Sequence, residues 1–100
     1  SARIADPFAS YTAGETLARP YQGAYLKAVI DQSNFGENPG IQVGKVIPDS
    51  RAWKIGLRNG DVIFEINQRR VKTLEALQNT STVWHLRLRR DQRLLTLSSR

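Results

Sequence analysis

The segment Ile41–Ile66 constrains the fold most, because strand-forming residues alternate in it with residues that end helices and strands. Its first part, Ile41–Ile47, is rich in β-branched residues and predicts a strand. Ser50 can cap a short helix over Arg51–Ile55, and Gly56 can end that helix in the left-handed conformation. The segment therefore predicts a strand, a short helix and a second strand in close succession.

The rest of the chain extends this pattern into a mostly β architecture. Gly44, inside the strand Ile41–Ile47, predicts a β-bulge or a close approach of another backbone segment, and the composition of residues 31–40 (DQSNFGENPG) predicts a loop. Further strands are predicted over Ala24–Ile30, Asp61–Ile66, Thr82–Arg90 and Arg93–Ser98, and a second helix over Leu74–Asn79. This order favours a mainly β (α+β) fold, a small, partly open antiparallel β-barrel or sandwich of about five or six strands capped by two helices.

The length of the chain sets its domain organisation. One hundred residues, of which 40% are hydrophobic, are enough for one domain with a modest core. Residues 1–18 show no sustained periodicity, so we expect a linker or N-terminal tail there and the domain over 19–100. The sequence has no run of the ~18 apolar residues that span a membrane, and no secretory signal peptide is visible.

Residues suited to catalysis or metal binding are scarce in this sequence. His85 is the single histidine, and the alternation of its strand places it on the outer face among arginines. One histidine and no cysteine leave no recognisable zinc set, and no phosphate-binding loop or nucleophile elbow occurs. We therefore expect no catalytic residue, no metal and no cofactor in this chain, so that it is not an enzyme by itself.

The charge is unevenly distributed along the chain. Residues 1–50 carry four Lys/Arg and five Asp/Glu (4 − 5 = −1), whereas residues 51–100 carry eleven and four (11 − 4 = +7). A basic half can indicate a nucleic-acid partner. Because these charges are spread over several elements, a solvated basic face is the favoured interpretation, and a nucleic-acid-binding small barrel is kept as the weaker alternative.

One stretch carries a specific family pattern. It has Ser-x-Ala-x-x-x-Gly-Leu at residues 50–57, Gly-Asp-Val-Ile at 60–63 and Ile-Asn at 66–67. With the strand that leads into it, this stretch resembles the PDZ domains of the bacterial HtrA/Do periplasmic serine proteases. The resemblance covers residues 19–100, matches the circularly permuted bacterial form, and is greatest to the second, C-terminal PDZ domain of such proteases.

The resemblance implies where a peptide would bind. An extended peptide would add as a strand to Ala24–Val29, beside the second helix, and backbone N–H groups at residues 22–24 would hold a terminal carboxylate. The implied peptide-binding residues are Gln22, Gly23, Ala24, Tyr25, Leu26, Lys27, Leu74, Leu77 and Gln78. For the three leucines, packing in the core is the alternative role, and we expect it to hold for at least one of them. Gln22 and Ala24 depart from the family pattern, which has apolar residues at these positions.

The resemblance also implies a biological setting. The parent protein would be a periplasmic serine endoprotease and chaperone of protein quality control, a hydrolase whose catalytic domain lies elsewhere in its chain. The implied partners are unfolded or C-terminal protein peptides and other subunits or domains of the same protease, so the domain could capture substrates, direct oligomer assembly, or do both. A PDZ domain of a type II secretion scaffold protein shares the Gly-Leu and Gly-Asp-Val pattern and stays open as an alternative.

Overall fold

The computed structural model describes residues 19–79 and 84–98 of the chain. In chain order its elements are β1 (Ala24–Ser33), β2 (Gly36–Val46), α1 (Arg51–Ile55), β3 (Val62–Ile66), β4 (Arg69–Arg70), a 3-10 helix (Leu74–Asn79), β5 (His85–Arg90) and β6 (Arg93–Ser98). The tail predicted over residues 1–18 and the first residues of the strand predicted from Thr82 lie outside the described residues.

The six strands form one antiparallel sheet. Its order is β1-β2-β3-β5-β6, and β4 pairs with β3 beside this path. The mainly β prediction is confirmed, whereas the second predicted helix is a 3-10 helix. In this order β1 and β6 are the two edge strands of the sheet.

The predicted ends of α1 are confirmed. The side chain of Ser50 accepts a hydrogen bond from the backbone N–H of Trp53 at 3.2 Å, which caps the first turn. Gly56 ends the helix with φ 111°, a left-handed conformation in which its N–H donates to the Trp53 carbonyl. The unit of strand, short helix and strand therefore forms as the sequence predicts.

The loop predicted over residues 31–40 is wrong. Both neighbouring strands continue through it as a long hairpin in which Ser33 pairs with Gly36, so that only Asn34 and Phe35 remain as the turn. The predicted bulge is confirmed, since the register of β1 and β2 shifts opposite Gly44. The hairpin makes β1 ten residues long, which lengthens the edge of the sheet.

The core lies on one face of the sheet and under the two helices. Trp84, Leu86 and Leu88 alternate inward, as the sequence predicts, and each is at most 2% exposed. The other fully or almost fully buried apolar side chains include Leu26, Ile41, Val43, Ala52, Leu57, Ile63, Leu74 and Leu77. These residues come from β1, β2, β3, β5 and both helices, and Leu95 and Leu97 of β6 pack against them, so one core holds the described residues together.

The basic pair Arg89-Arg90 is used inside the fold. Arg89 contacts both carboxylate oxygens of Asp31, at 2.7 and 2.6 Å, and so connects β5 to the end of β1. Arg90 contacts both oxygens of Asp61, which is 1% exposed. Two of the eleven basic residues of the second half therefore form ion pairs within the fold, which weakens the case for a nucleic-acid surface.

Candidate functional site

The edge strand β1 is the main candidate site, because among the described residues no strand pairs with its outer side. It contacts the 3-10 helix, so that strand and helix lie side by side, as the resemblance implies. An exposed strand edge presents backbone donors and acceptors to which another extended segment can pair.

The pairing of Val43 determines which groups face this open edge. Its N–H donates to the Asp61 carbonyl and its C=O accepts from Gly60, both at 2.8 Å, so both groups point away from β1. Val43 pairs with Leu26, and alternate residues of an antiparallel strand direct these groups the same way. The backbone groups that face the open edge therefore include those of Leu26, Ala28 and Ile30.

The predicted carboxylate loop is a tight turn that bonds to its own ends. Tyr21 and Ala24 exchange two backbone hydrogen bonds, of 2.8 and 3.0 Å, across Gln22 and Gly23, which have φ values of 55° and 96°. In this structure the N–H of Ala24 donates to the Tyr21 carbonyl, and its predicted role towards a ligand carboxylate stays a prediction. For the N–H groups of Gln22 and Gly23 no partner is found within the described residues, and their predicted role stays a prediction.

Helix α1 holds this turn in place from behind. The carbonyl of Gln22 accepts from the Ala52 N–H at 2.9 Å, and the carbonyl of Gly23 accepts from the Ile47 N–H at 2.8 Å. A Cβ atom on Gly23 would lie 2.1 Å from the Cβ of Ser50. Glycine is thus required here by contact with the helix cap, whatever its N–H group binds.

The predicted pocket side chains are mostly inside the core. Leu26, Leu74 and Leu77 are 1%, 6% and 3% exposed, so all three pack in the core rather than line an open pocket. Ala24 and Lys27 are also buried, Tyr25 is half-buried and Gln22 is exposed. Gln78 lies in the 3-10 helix, and its side chain is outside the description.

Two aromatic residues lie together at the start of β1: Tyr21, which the resemblance places in the carboxylate loop, and Trp84, which the sequence did not assign to the site. Tyr21 stacks on Trp84 with ring centroids 5.6 Å apart and planes 16° apart. The Tyr21 hydroxyl donates to the Leu77 carbonyl at 3.4 Å, and the Arg51 guanidinium lies 5.2 Å from the centroid of Trp84. The inward alternation of Trp84 was a visible signal for its burial, but no sequence pattern paired it with Tyr21.

The interior behind these rings has no room for a ligand side chain. The void that they enclose with Leu26, Ile63 and Leu86 measures about 10 Å³, which is no larger than a single water-sized probe. It is lined by apolar atoms, so an empty void is the expected state.

Other kinds of site are not found in the described part of the chain. Within residues 19–79 and 84–98 no group of three His, Asp or Glu could hold a metal ion, and no helix is long and apolar enough to cross a membrane. His85 is exposed, and its Nδ1 lies 2.9 Å from the Ser98 hydroxyl.

The strand order, the short capped helix and the turn before β1 define a PDZ-type fold. A family model described as PDZ domain matches residues 42–80. The chain is similar to the HtrA3 PDZ domain in a crystal structure of that domain bound to a phage-derived ligand (FGRWV), with a TM-score of 0.65 and 23% sequence identity over 84% of this chain and 86% of that chain. No curated protein matches the chain in sequence. At this level of identity the structural likeness establishes the fold.

Proposed function

We propose that this domain binds extended peptide segments, which add as a further strand to β1. The observation that carries the proposal is the open edge of β1, where the N–H and C=O groups of Leu26, Ala28 and Ile30 face away from the sheet. The peptide ligand of the HtrA3 domain, which shares this fold, supports the same use here.

The binding energy of such a site comes mainly from the backbone. Three outward residues offer up to six hydrogen-bonding groups to any extended segment, whatever its sequence. Ile30 adds an apolar contact, because its side chain is 61% exposed at the end of this edge. A single added strand buries little area, so we expect affinity in the micromolar range, about 8 kcal/mol.

We further propose that the parent protein is a periplasmic serine endoprotease and chaperone of the HtrA/Do type. The motif over residues 50–63 and the likeness to the HtrA3 domain support this setting. A PDZ domain has no catalytic role of its own, so proteolysis would belong to another domain of the parent. A type II secretion scaffold carries the same motif, and the domains encoded beside this one would distinguish the two.

Backbone hydrogen exchange tests the peptide-binding proposal residue by residue. In the free domain the N–H groups of Leu26, Ala28 and Ile30 should exchange quickly, whereas those of Lys27 and Val29, which face β2, should be protected. Addition of an unstructured seven-residue peptide should slow exchange at the three outward positions and leave the two inward ones unchanged. Protection that develops elsewhere, or at none of these residues, would overturn the proposal.

A pair of variants at one position supplies the matched control. Ile30→Pro removes an outward N–H that the sheet does not use, so the fold should persist while peptide affinity falls about tenfold. Ile30→Ala removes the same side chain but keeps the N–H, and it should lose less affinity. The outward N–H groups could already be protected from exchange in the free domain, to a degree that rises with protein concentration. In that case a second copy of the domain occupies the edge, and the edge serves assembly rather than peptide capture.

A further inference from the structure

We propose that the open edge of β1 binds extended chain at internal positions as readily as at a C-terminus, because Tyr21 pairs with Ala24 where a terminal residue would bind. This inference rests on the proposed function and specifies its ligand class. It predicts that the C-terminal carboxylate of a peptide contributes little to binding. The resemblance found in the sequence implies the opposite, that this carboxylate is the recognised group.

The backbone argument begins at Ala24, the first residue of β1. Its N–H donates to the Tyr21 carbonyl at 3.0 Å and its C=O accepts from the Tyr21 N–H at 2.8 Å. The backbone groups of Ala24 are thus already bonded to Tyr21 of the same chain, and the part of the edge that is open to a ligand starts at Leu26. A ligand whose carboxylate reached the N–H groups of Gln22 and Gly23 would have to pair beside Ala24, where Tyr21 already pairs.

The side-chain argument concerns the same place. The Tyr21 ring is held from two sides, by stacking on Trp84 and by the hydrogen bond from its hydroxyl to the Leu77 carbonyl. The void behind the rings is about 10 Å³, too small for the last side chain of a peptide. Binding of a terminal residue at this place would therefore require both the backbone and the ring of Tyr21 to move away from Ala24 and Trp84.

The turn itself resists such a rearrangement. The carbonyls of Gln22 and Gly23 are bonded to Ala52 and Ile47, and Gly23 lies against Ser50 without space for a Cβ. An internal segment needs none of these bonds to break, because it can pair with the outward groups of β1 from Leu26 onwards. The outward groups accept such a segment at any point along a chain.

The test compares three forms of one seven-residue extended peptide: with a free carboxylate, with a C-terminal amide, and with a Gly-Ser-Gly extension. Their dissociation constants, measured by NMR titration or calorimetry, should agree within about twofold. A terminal carboxylate held by charge-assisted hydrogen bonds would instead make the free form about tenfold tighter, and that result would overturn the inference while leaving the proposed function intact. Failure of all three forms to bind would overturn the proposed function itself.

Two variants at Tyr21 test the assigned residue. Tyr21→Ala removes the stack on Trp84 and the bond to Leu77 that hold residue 21 in place, so it should weaken the backbone pairing with Ala24 and create a preference for the free carboxylate over the amide. Tyr21→Phe keeps the stack on Trp84 and loses only the bond to Leu77, so it should bind all three peptides alike. Unfolding curves show whether both variants fold. If Tyr21→Ala does not fold, the comparison of the three peptides on the unaltered domain still tests whether the carboxylate contributes to binding. A folded Tyr21→Ala domain without any carboxylate preference would contradict the role of Tyr21.

Discussion

Arg90 and Asp61 form a bidentate ion pair in which both nitrogen–oxygen contacts measure 2.8 Å. The Asp61 carboxylate is 1% exposed and also accepts from the backbone N–H of Arg58 at 2.9 Å. Arg90 donates in addition to the Gly56 carbonyl at 2.7 Å. One pair of side chains therefore connects the end of β5, the C-terminus of α1 and the turn that leads into β3.

Loss of Arg90 should destabilise the domain severely. Arg90→Ala would leave the buried carboxylate of Asp61 without its cation, which in proteins costs about 3 to 5 kcal/mol. Arg87→Ala is the matched control, since Arg87 lies in the same strand with an exposed side chain and should change the free energy of unfolding by about 0.5 kcal/mol or less. Urea unfolding of both variants measures the difference, and equal midpoints would show that the ion pair contributes nothing.

The contribution of Arg90 should not vary with pH near neutrality. The hydrogen bond that Arg90 donates to Asp61 raises the pKa of Arg90 above its ordinary value, against the lowering effect of partial burial. Because the pKa is raised in the folded state, the contribution of Arg90 to the free energy of unfolding is fully present below the ordinary pKa of arginine. It is lost only as the pH rises through the higher pKa of the folded state. The difference in unfolding free energy between the unaltered domain and Arg90→Lys should therefore stay constant between about pH 6 and pH 9, and a slope across that range would contradict it.

Gly23 and Gly60 offer a comparison between backbone strain alone and strain with steric overlap. Both are left-handed, with φ values of 96° and 97°, but a Cβ on Gly23 would overlap Ser50, whereas a Cβ on Gly60 would meet nothing within 4 Å. Gly60→Ala should cost about 1 kcal/mol from the left-handed conformation, and Gly23→Ala should cost at least about 1 kcal/mol more. Thermal unfolding separates the two, and similar losses would show that the turn moves away from α1 without penalty.

The sequence predicted those elements whose signals are local. The Ser50 cap, the left-handed Gly56 and the inward alternation of Trp84 each depend on a few neighbouring residues, and each is confirmed. The position of β1 at the edge of the sheet also agrees with the strand that the resemblance assigns to peptide binding.

The predictions that failed depend on contacts between distant residues. Composition predicts a loop at Gly40, but this residue lies in β2 against β3, where a Cβ would come within 2.9 Å of the Val62 side chain. Pro39 pairs with Ile30, whose backbone groups face away from β2, so the missing N–H of Pro39 removes no bond between the two strands. Closure of the groove by Tyr21 and Trp84 joins residues 63 positions apart, and no local pattern reveals it.

The Asp31–Arg89 pair should control the stability of the binding edge. Asp31 lies near the end of β1 and is 8% exposed, and its two contacts to Arg89 connect the hairpin to β5. Asp31→Asn removes the charge from this bidentate pair and should cost about 2 kcal/mol. Hydrogen exchange should accelerate at the inward N–H groups of β1 more than in β5, since the edge strand is bonded on one side only.

The same chemical change at an exposed site in this hairpin is the control for Asp31→Asn. Glu37→Gln also converts a carboxylate to an amide, but the Glu37 side chain is exposed and its partner is Gln32 at 3.0 Å. It should change the free energy of unfolding by about 0.5 kcal/mol or less. If both variants left exchange in β1 unchanged, the ion pair would have no part in holding the edge strand. If only Asp31→Asn loses protection from hydrogen exchange in β1, the Asp31–Arg89 pair is what keeps the edge strand in the extended conformation that a ligand needs.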